Sequence, residues 1–275
     1  MRFINDLKLL KQIFDFYLNS SLHVSLAASS LVLMTYYFAK LPTDLTVVFF
    51  VFFGTLTSYN VIKYGTFVIG NKKIKIAMKA ILLLTLFAAI TSFFLFFKLQ
   101  LAGQITAVIF AFLSLLYLIP IPISKTNLRN LAGVKIYIVS FCWAGVTLLI
   151  PLLNADTPIE FDILFKFLQR FVLTLILILI FEINDLKYDD IRLKTVPQTI
   201  GIRNTKFLVY LLLVVFYALE FFKSNLYPNQ WIVNLILVFI TFLFCFFASD
   251  RKSKYYTLFW VESIPILWYL LILIF

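Results

Sequence analysis

The sequence predicts an all-α integral membrane protein, with nine transmembrane helices in one bundle behind an N-terminal amphipathic helix. Three observations carry this. Hydrophobic residues make up 63% of the 275 and charged residues 13%, against about 45–50% and about 25% in soluble domains. Mean hydropathy is +1.00. The apolar runs repeatedly reach the ~20 residues that cross a bilayer as a helix. They are continuous rather than alternating, which excludes a β-barrel.

In residues 1–19 the apolar positions Phe3, Ile4, Leu7, Leu10, Ile13, Phe14 and Tyr17 recur at helical spacing, interleaved with Asp6, Lys8, Lys11 and Asp15. This is the pattern of a helix lying on a membrane surface and not of a secretory signal. Residues 20–275 are expected to form one nine-helix membrane domain with no soluble domain or linker. The spans fall near 20–39, 45–69, 76–97, 101–120, 131–153, 162–182, 205–222, 229–248 and 255–275. Turn and polar signals separate most of them, among them Pro42-Thr-Asp44, Pro120-Ile-Pro122 and Tyr227-Pro-Asn229.

Charge supports the count. Of 24 Lys and Arg, only Lys40, Lys98, Lys166, Arg170 and Lys223 fall on one side of the nine spans, and Lys63 falls within the second. The other eighteen share the side of the N-terminus, which the positive-inside rule makes cytoplasmic, with the C-terminus opposite. A bacterial inner membrane suits this pattern. The net charge of +11 therefore reads as topology and affinity for anionic headgroups, not for nucleic acid. Cys142 and Cys245 lie in apolar runs without a metal or disulfide spacing and read as small core residues. His23 opens the first span with no evident partner. The sequence shows neither paired half-helix breaks nor ionisable residues deep in several spans, which weighs against a transporter.

The stretch 181–201, FEINDLKYDDIRLKTVPQTIG, holds four of the thirteen acids. Acids beside a bilayer call for a functional explanation. Glu182, Asp185 and Asp189 are spaced i, i+3, i+7, which on a helix is one face. Carboxylates so placed repel unless a hard cation lies between them, and Mg²⁺ takes a few carboxylates plus water and phosphate oxygens. Such a site would hold a diphosphate through the metal, with Arg192 and Lys194 neutralising its remaining charge. The same residues also suit a solvated polar loop. A second polar stretch, Thr57, Ser58, Tyr59, Asn60, Lys63 and Tyr64, lies four spans earlier at the same predicted face.

The 182–201 stretch resembles the second aspartate-rich motif of the UbiA superfamily of intramembrane prenyltransferases, D-x-x-D-x-x-x-D followed by K-T-L-P-V-x-x-G. Here it reads Glu182-x-x-Asp185-x-x-x-Asp189, then Lys194-Thr195-Val196-Pro197 through Gly201. Glu182 stands for the first Asp, and the connection to Lys194 is one residue shorter and lacks the family's glycine. Tyr117 to Gly133 is similar to the family's loop after the fourth helix, so the resemblance implies substrate contacts from Tyr117, Lys125 and Arg129. It also implies nine helices, a Mg²⁺ cofactor on Glu182, Asp185 and Asp189, and prenyl transfer from a prenyl diphosphate to a lipophilic, aromatic acceptor. The family's first motif, N-D-x-x-D-x-x-x-D, keeps only Asn60; Val61, Tyr64 and Val68 replace its acids. Two expectations follow. Either Lys63 substitutes for a metal on the diphosphate, with Asn60 catalytic and Tyr64 donating a hydrogen bond, or the chain is an inactive relative that binds or presents a prenyl lipid.

Overall fold

The apolar runs fold as helices in the computed structural model, which describes residues 2–69, 76–118, 133–224 and 227–275, without the side chains of 2–7, 66–69, 116–118 and 192. Regular structure among these residues is entirely helical. Helix α1 spans Arg2–Asn19, α2 Leu22–Ala39, α3 Leu45–Ile69, α4 Ile76–Phe96 and α5 Leu101–Leu118. Then come α6 (Val134–Asn154), α7 (Phe161–Asp185), α8 (Val196–Phe222), α9 (Gln230–Phe247) and α10 (Tyr256–Ile274). Eight of these, α2 to α4 and α6 to α10, are long and apolar enough to cross a membrane, and α5 carries a shorter apolar stretch over Leu101–Leu115.

Helices α2 and α7 are the most buried. One core joins them to α8, α9 and α10 through residues such as Leu31, Ile176, Ile180, Phe216, Val261 and Trp268. A second joins α2 to α3, α5 and α6 through Val32, Tyr36, Val47, Val51, Ala107 and Ile150. By contrast α4 turns Leu83, Phe87, Phe93 and Phe94 outward. That costs nothing against hydrocarbon, where the surrounding chains are as apolar as the residues.

Prolines shape two helices. Pro151 has no N–H for the carbonyl of Thr147, and its ring crowds that turn. The helix accommodates it with a π-helical segment, Gly145–Leu149. The freed Thr147 carbonyl accepts from Arg170 Nη1 at 2.6 Å and Thr35 Oγ1 at 2.7 Å. This gives the fully buried Arg170 a role inside the bundle. At Gly145 a Cβ would lie 1.8 Å from the Phe110 ring, so only glycine lets α5 approach. Pro265 follows a second π-helical segment, Tyr256–Val261. There His23 Nε2 lies 3.0 Å from the Phe259 carbonyl and from Ser263 Oγ, while Tyr17 Oη lies 2.7 Å from Nδ1. His23 thus clasps α1 and α2 to α10.

At the bundle end away from residues 185–195, Glu220 Oε2 accepts from Gln169, Lys223 and Asn234 at 3.0, 2.7 and 2.7 Å. Trp268 Nε1 donates to Asn234 at 3.0 Å. One buried carboxylate so ties α7, α8, α9 and α10, its charge offset by Lys223.

Candidate functional site

The acidic stretch begins as helix and then leaves it. Helix α7 stops at Asp185, where the N–H groups of Tyr188 and Asp189 close a turn on the Asp185 carbonyl at 2.7 and 3.0 Å. Glu182 and Asp185 therefore belong to the helix and Asp189 to the turn after it, which corrects the expectation that all three share one helical face. A short 3₁₀ turn, Ile191–Leu193, follows. Lys194 adopts left-handed backbone at φ 46, and Thr195 caps α8.

The K-T-x-P-x-x-x-G segment is the device that fixes this turn. Gln198 Oε1 accepts from the Thr195 N–H at 3.0 Å, the Gln half of a capping box. The same side chain donates to the carbonyls of Asp189 and Asp190 at 3.4 and 3.3 Å. Pro197 lies in the first turn, where its missing N–H is harmless. Gly201, at φ 80 and ψ 160, kinks the helix before its apolar run. Helix α8 thus starts at Val196, nine residues before the expected 205.

Glu182 is engaged by protein. Its Oε2 accepts from the Val196 N–H at 3.0 Å, and its Oε1 forms an ion pair with Lys135 Nζ at 2.8 Å without a hydrogen-bonding angle. A carboxylate at a helix N-terminus also meets the positive end of the helix dipole. Among the described residues no group of three His, Cys, Asp or Glu stands close enough together to hold a metal ion. Asp185 and Asp189 face the same space as Glu182; Asn184 Nδ2 donates to Asp185 Oδ1 at 3.4 Å.

That space is a cavity of about 340 Å³ between α3, α5, α6, α7 and α10. Its lining includes Lys135 beside Glu182, Asp185 and Asp189, and also Glu262. The rest is largely apolar, including Ile138, Val139, Leu177, Ile178 and Phe181. A mixed cavity of this size is in the range of small-molecule sites. A second cavity of about 390 Å³, lined by α2 to α6, adjoins it.

The second polar stretch does not reach either cavity through the expected residues. Asn60 is buried, with its amide donating to the Ser20 carbonyl at 3.0 Å and to Thr85 Oγ1 at 2.9 Å and accepting from Ser21 Oγ at 2.8 Å. It locks the α1–α2 turn to α3 and α4. Lys63 is exposed and donates to the Asn19 carbonyl at 3.3 Å, and Tyr64 Oη donates to the same atom at 2.8 Å. Neither lines a cavity. Ser58 and Tyr59, from the same stretch, do. Lys194 is exposed and outside the lining. Lys125 and Arg129 lie outside the described residues, as do the side chains of Tyr117 and Arg192.

The fold has a counterpart. It is similar to the solved structure of a digeranylgeranylglyceryl phosphate synthase in membranes, with a TM-score of 0.57 and 15% identity over 96% of this chain and 98% of that one. At that identity the likeness is one of fold. No family model matches the sequence, and no curated protein matches it.

Two charged residues at the cavity escaped the sequence reading. Lys135 is one basic residue among several before an apolar run, and nothing in its spacing marks it. Glu262 stands alone in the last apolar run, between Val261 and Ser263, and a lone acid deep in such a run is the signal that could have found it.

Proposed function

We propose that the chain is a UbiA-like membrane prenyltransferase, moving a prenyl group from its diphosphate to a lipophilic acceptor. The observation that carries this reading is one cavity with a charged wall, Lys135 with Glu182, Asp185 and Asp189, facing apolar walls inside the membrane-spanning bundle. The likeness in fold to a protein named as a prenyl-lipid synthase supports it. In this reading the nine-span topology holds, α5 is the ninth span, and the charged wall opens to the cytoplasm.

Mg²⁺ would be held by Asp185 and Asp189, which line the cavity, while Glu182 meets Lys135 and the Val196 N–H. Two carboxylates suit an ion that keeps waters and takes phosphate oxygens. When bound, the ion would offset charge on the leaving diphosphate. Lys135, held by Glu182, adds a fixed positive charge beside it. Breaking the bond from the first prenyl carbon to the diphosphate oxygen sends the electron pair to the diphosphate; the acceptor then bonds that carbon and loses a proton. Asn60, Lys63 and Tyr64 serve here as packing residues.

The test is binding of farnesyl diphosphate by the purified protein with and without Mg²⁺. Binding should need Mg²⁺, and Asp185→Asn should weaken it by about tenfold or more, consistent with loss of one charged ligand. Absence of binding would overturn the reading. The replacement of three first-motif acids by Val61, Tyr64 and Val68 favours a second reading, a prenyl-lipid binder without transfer; binding without turnover on a panel of phenolic acceptors would establish it.

A further inference from the structure

The two cavities meet at one wall, and that wall is made of side-chain pairs. Ser58, Tyr59, Ser114, Cys142 and Trp143 line both. Trp143 Nε1 donates to Tyr59 Oη at 2.8 Å, bridging α6 to α3, with the rings edge to face at 6.4 Å. Ser114 Oγ lies 3.8 Å from Cys142 Sγ, bridging α5 to α6. Both pairs draw on adjacent residues of α6, just before its π-helical segment.

The far cavity is walled mostly by apolar and aromatic side chains, with the hydroxyls of Thr55, Ser58 and Ser92 among them. Among the described residues its lining includes no Asp, Glu, Lys, Arg or His. The hydroxyls of Thr57, Ser114 and Thr147 are turned back onto the carbonyls of Phe53, Phe110 and Trp143 of their own helices. It also reaches the lipid-facing flank, since Phe93 of α4 and Val108 of α5 line it while being 62% and 54% exposed. The near cavity has the charged wall, and Tyr59 and Trp143 stand where the two cavities meet, so a chain anchored by its diphosphate meets this pair on its way into the far cavity.

We infer that the Tyr59–Trp143 pair, seconded by Ser114–Cys142, is the partition that sets how much of a prenyl chain the protein holds. This rests on the prenyl-diphosphate reading above and adds the element that selects chain length. While the pair is closed, the chain is confined to the near cavity. Removing the indole joins the two, and isoprene units beyond the partition gain apolar wall; each unit so buried is worth roughly tenfold or more in affinity.

The experiment is an affinity series of geranyl, farnesyl and geranylgeranyl diphosphates with Mg²⁺ for the wild type, Trp143→Ala and Tyr59→Phe. Trp143→Ala should raise the affinity for geranylgeranyl diphosphate about tenfold relative to that for geranyl diphosphate, whatever it does to both in common. Tyr59→Phe, which removes only the hydroxyl that receives the indole N–H, should shift the ratio the same way by a smaller factor and serves where Trp143→Ala does not fold. Binding with parallel series in all three proteins would overturn the partition and leave the diphosphate site standing. No binding of any member by the wild type would remove both.

Discussion

Asn60 shows at the scale of one residue how a buried amide can serve packing. Its amide meets Ser20, Ser21 and Thr85 from three directions, all buried. A buried amide that loses its partners costs about 1–3 kcal/mol. Asn60→Ala should therefore lower stability by that order, read as a fall in melting temperature in detergent, while farnesyl diphosphate affinity well below the melting point stays within about twofold. A tenfold loss of affinity in a folded Asn60→Ala protein would return the residue to the site. Of the cavity's lining, Asp185 and Asp189 were legible, because acids in a sparse background are visible in sequence. Lys135 was not legible, since the packing of α6 against α7 is what brings this cation to the Glu182 carboxylate. Tyr59 and Trp143 were hidden for another reason. In a chain with 33 Phe, 14 Tyr and 4 Trp, no spacing distinguishes two aromatics that meet from the many that face lipid.

Among the elements, helix existence was readable from apolar runs of membrane length, and helix ends were not. Helix α8 starts nine residues before its hydrophobic run because Gln198 and Gly201 build a polar turn of helix first. Helix α7 runs to Asp185, beyond its apolar segment, and the turn that closes on the Asp185 carbonyl ends it there. Helix α1 exposes Leu9, Leu10 and Ile13. It docks on α10 through Asp15, whose Oδ1 accepts from Lys254 Nζ at 2.6 Å and from Tyr255 Oη at 2.9 Å. The Lys254 hydrogen bond holds the Asp15 carboxyl below its usual value, against the opposing effect of burial. A lowered folded-state value means that the contact contributes fully above the unfolded value near 4 and is lost as pH falls through the lowered one. Docking of α1 should accordingly be flat from pH 5 to 8 and weaken only in stronger acid. Protease cleavage between α1 and α2, followed against pH at fixed salt, checks this; accelerated cleavage between pH 8 and 5 would contradict it.

For the whole molecule, the sequence was most informative where physics allows few answers. A chain this apolar with continuous runs has to be a helical bundle in lipid. The order of packing was beyond it, because each span is apolar on most sides and carries little directional signal. Structure supplies that order: α2 and α7 run through the interior, and two cavities stand on one side of them.

The missing N–H of Pro151 has a consequence for how such chains can change over time. With proline at 151, the Thr147 carbonyl stands unsatisfied inside the bundle, and Arg170 and Thr35 supply its donors. Restore an N–H at 151 and the carbonyl has a donor of its own, leaving Arg170 as a buried cation with less to hold. Remove Arg170 alone and only the threonine remains. The two positions lie on different helices and touch through a backbone atom, so neither side chain records the other. Relatives that abandon one should abandon both, and a coupled change at 151 and 170 across a lineage would be the trace of a hydrogen bond that no pairwise side-chain contact reveals.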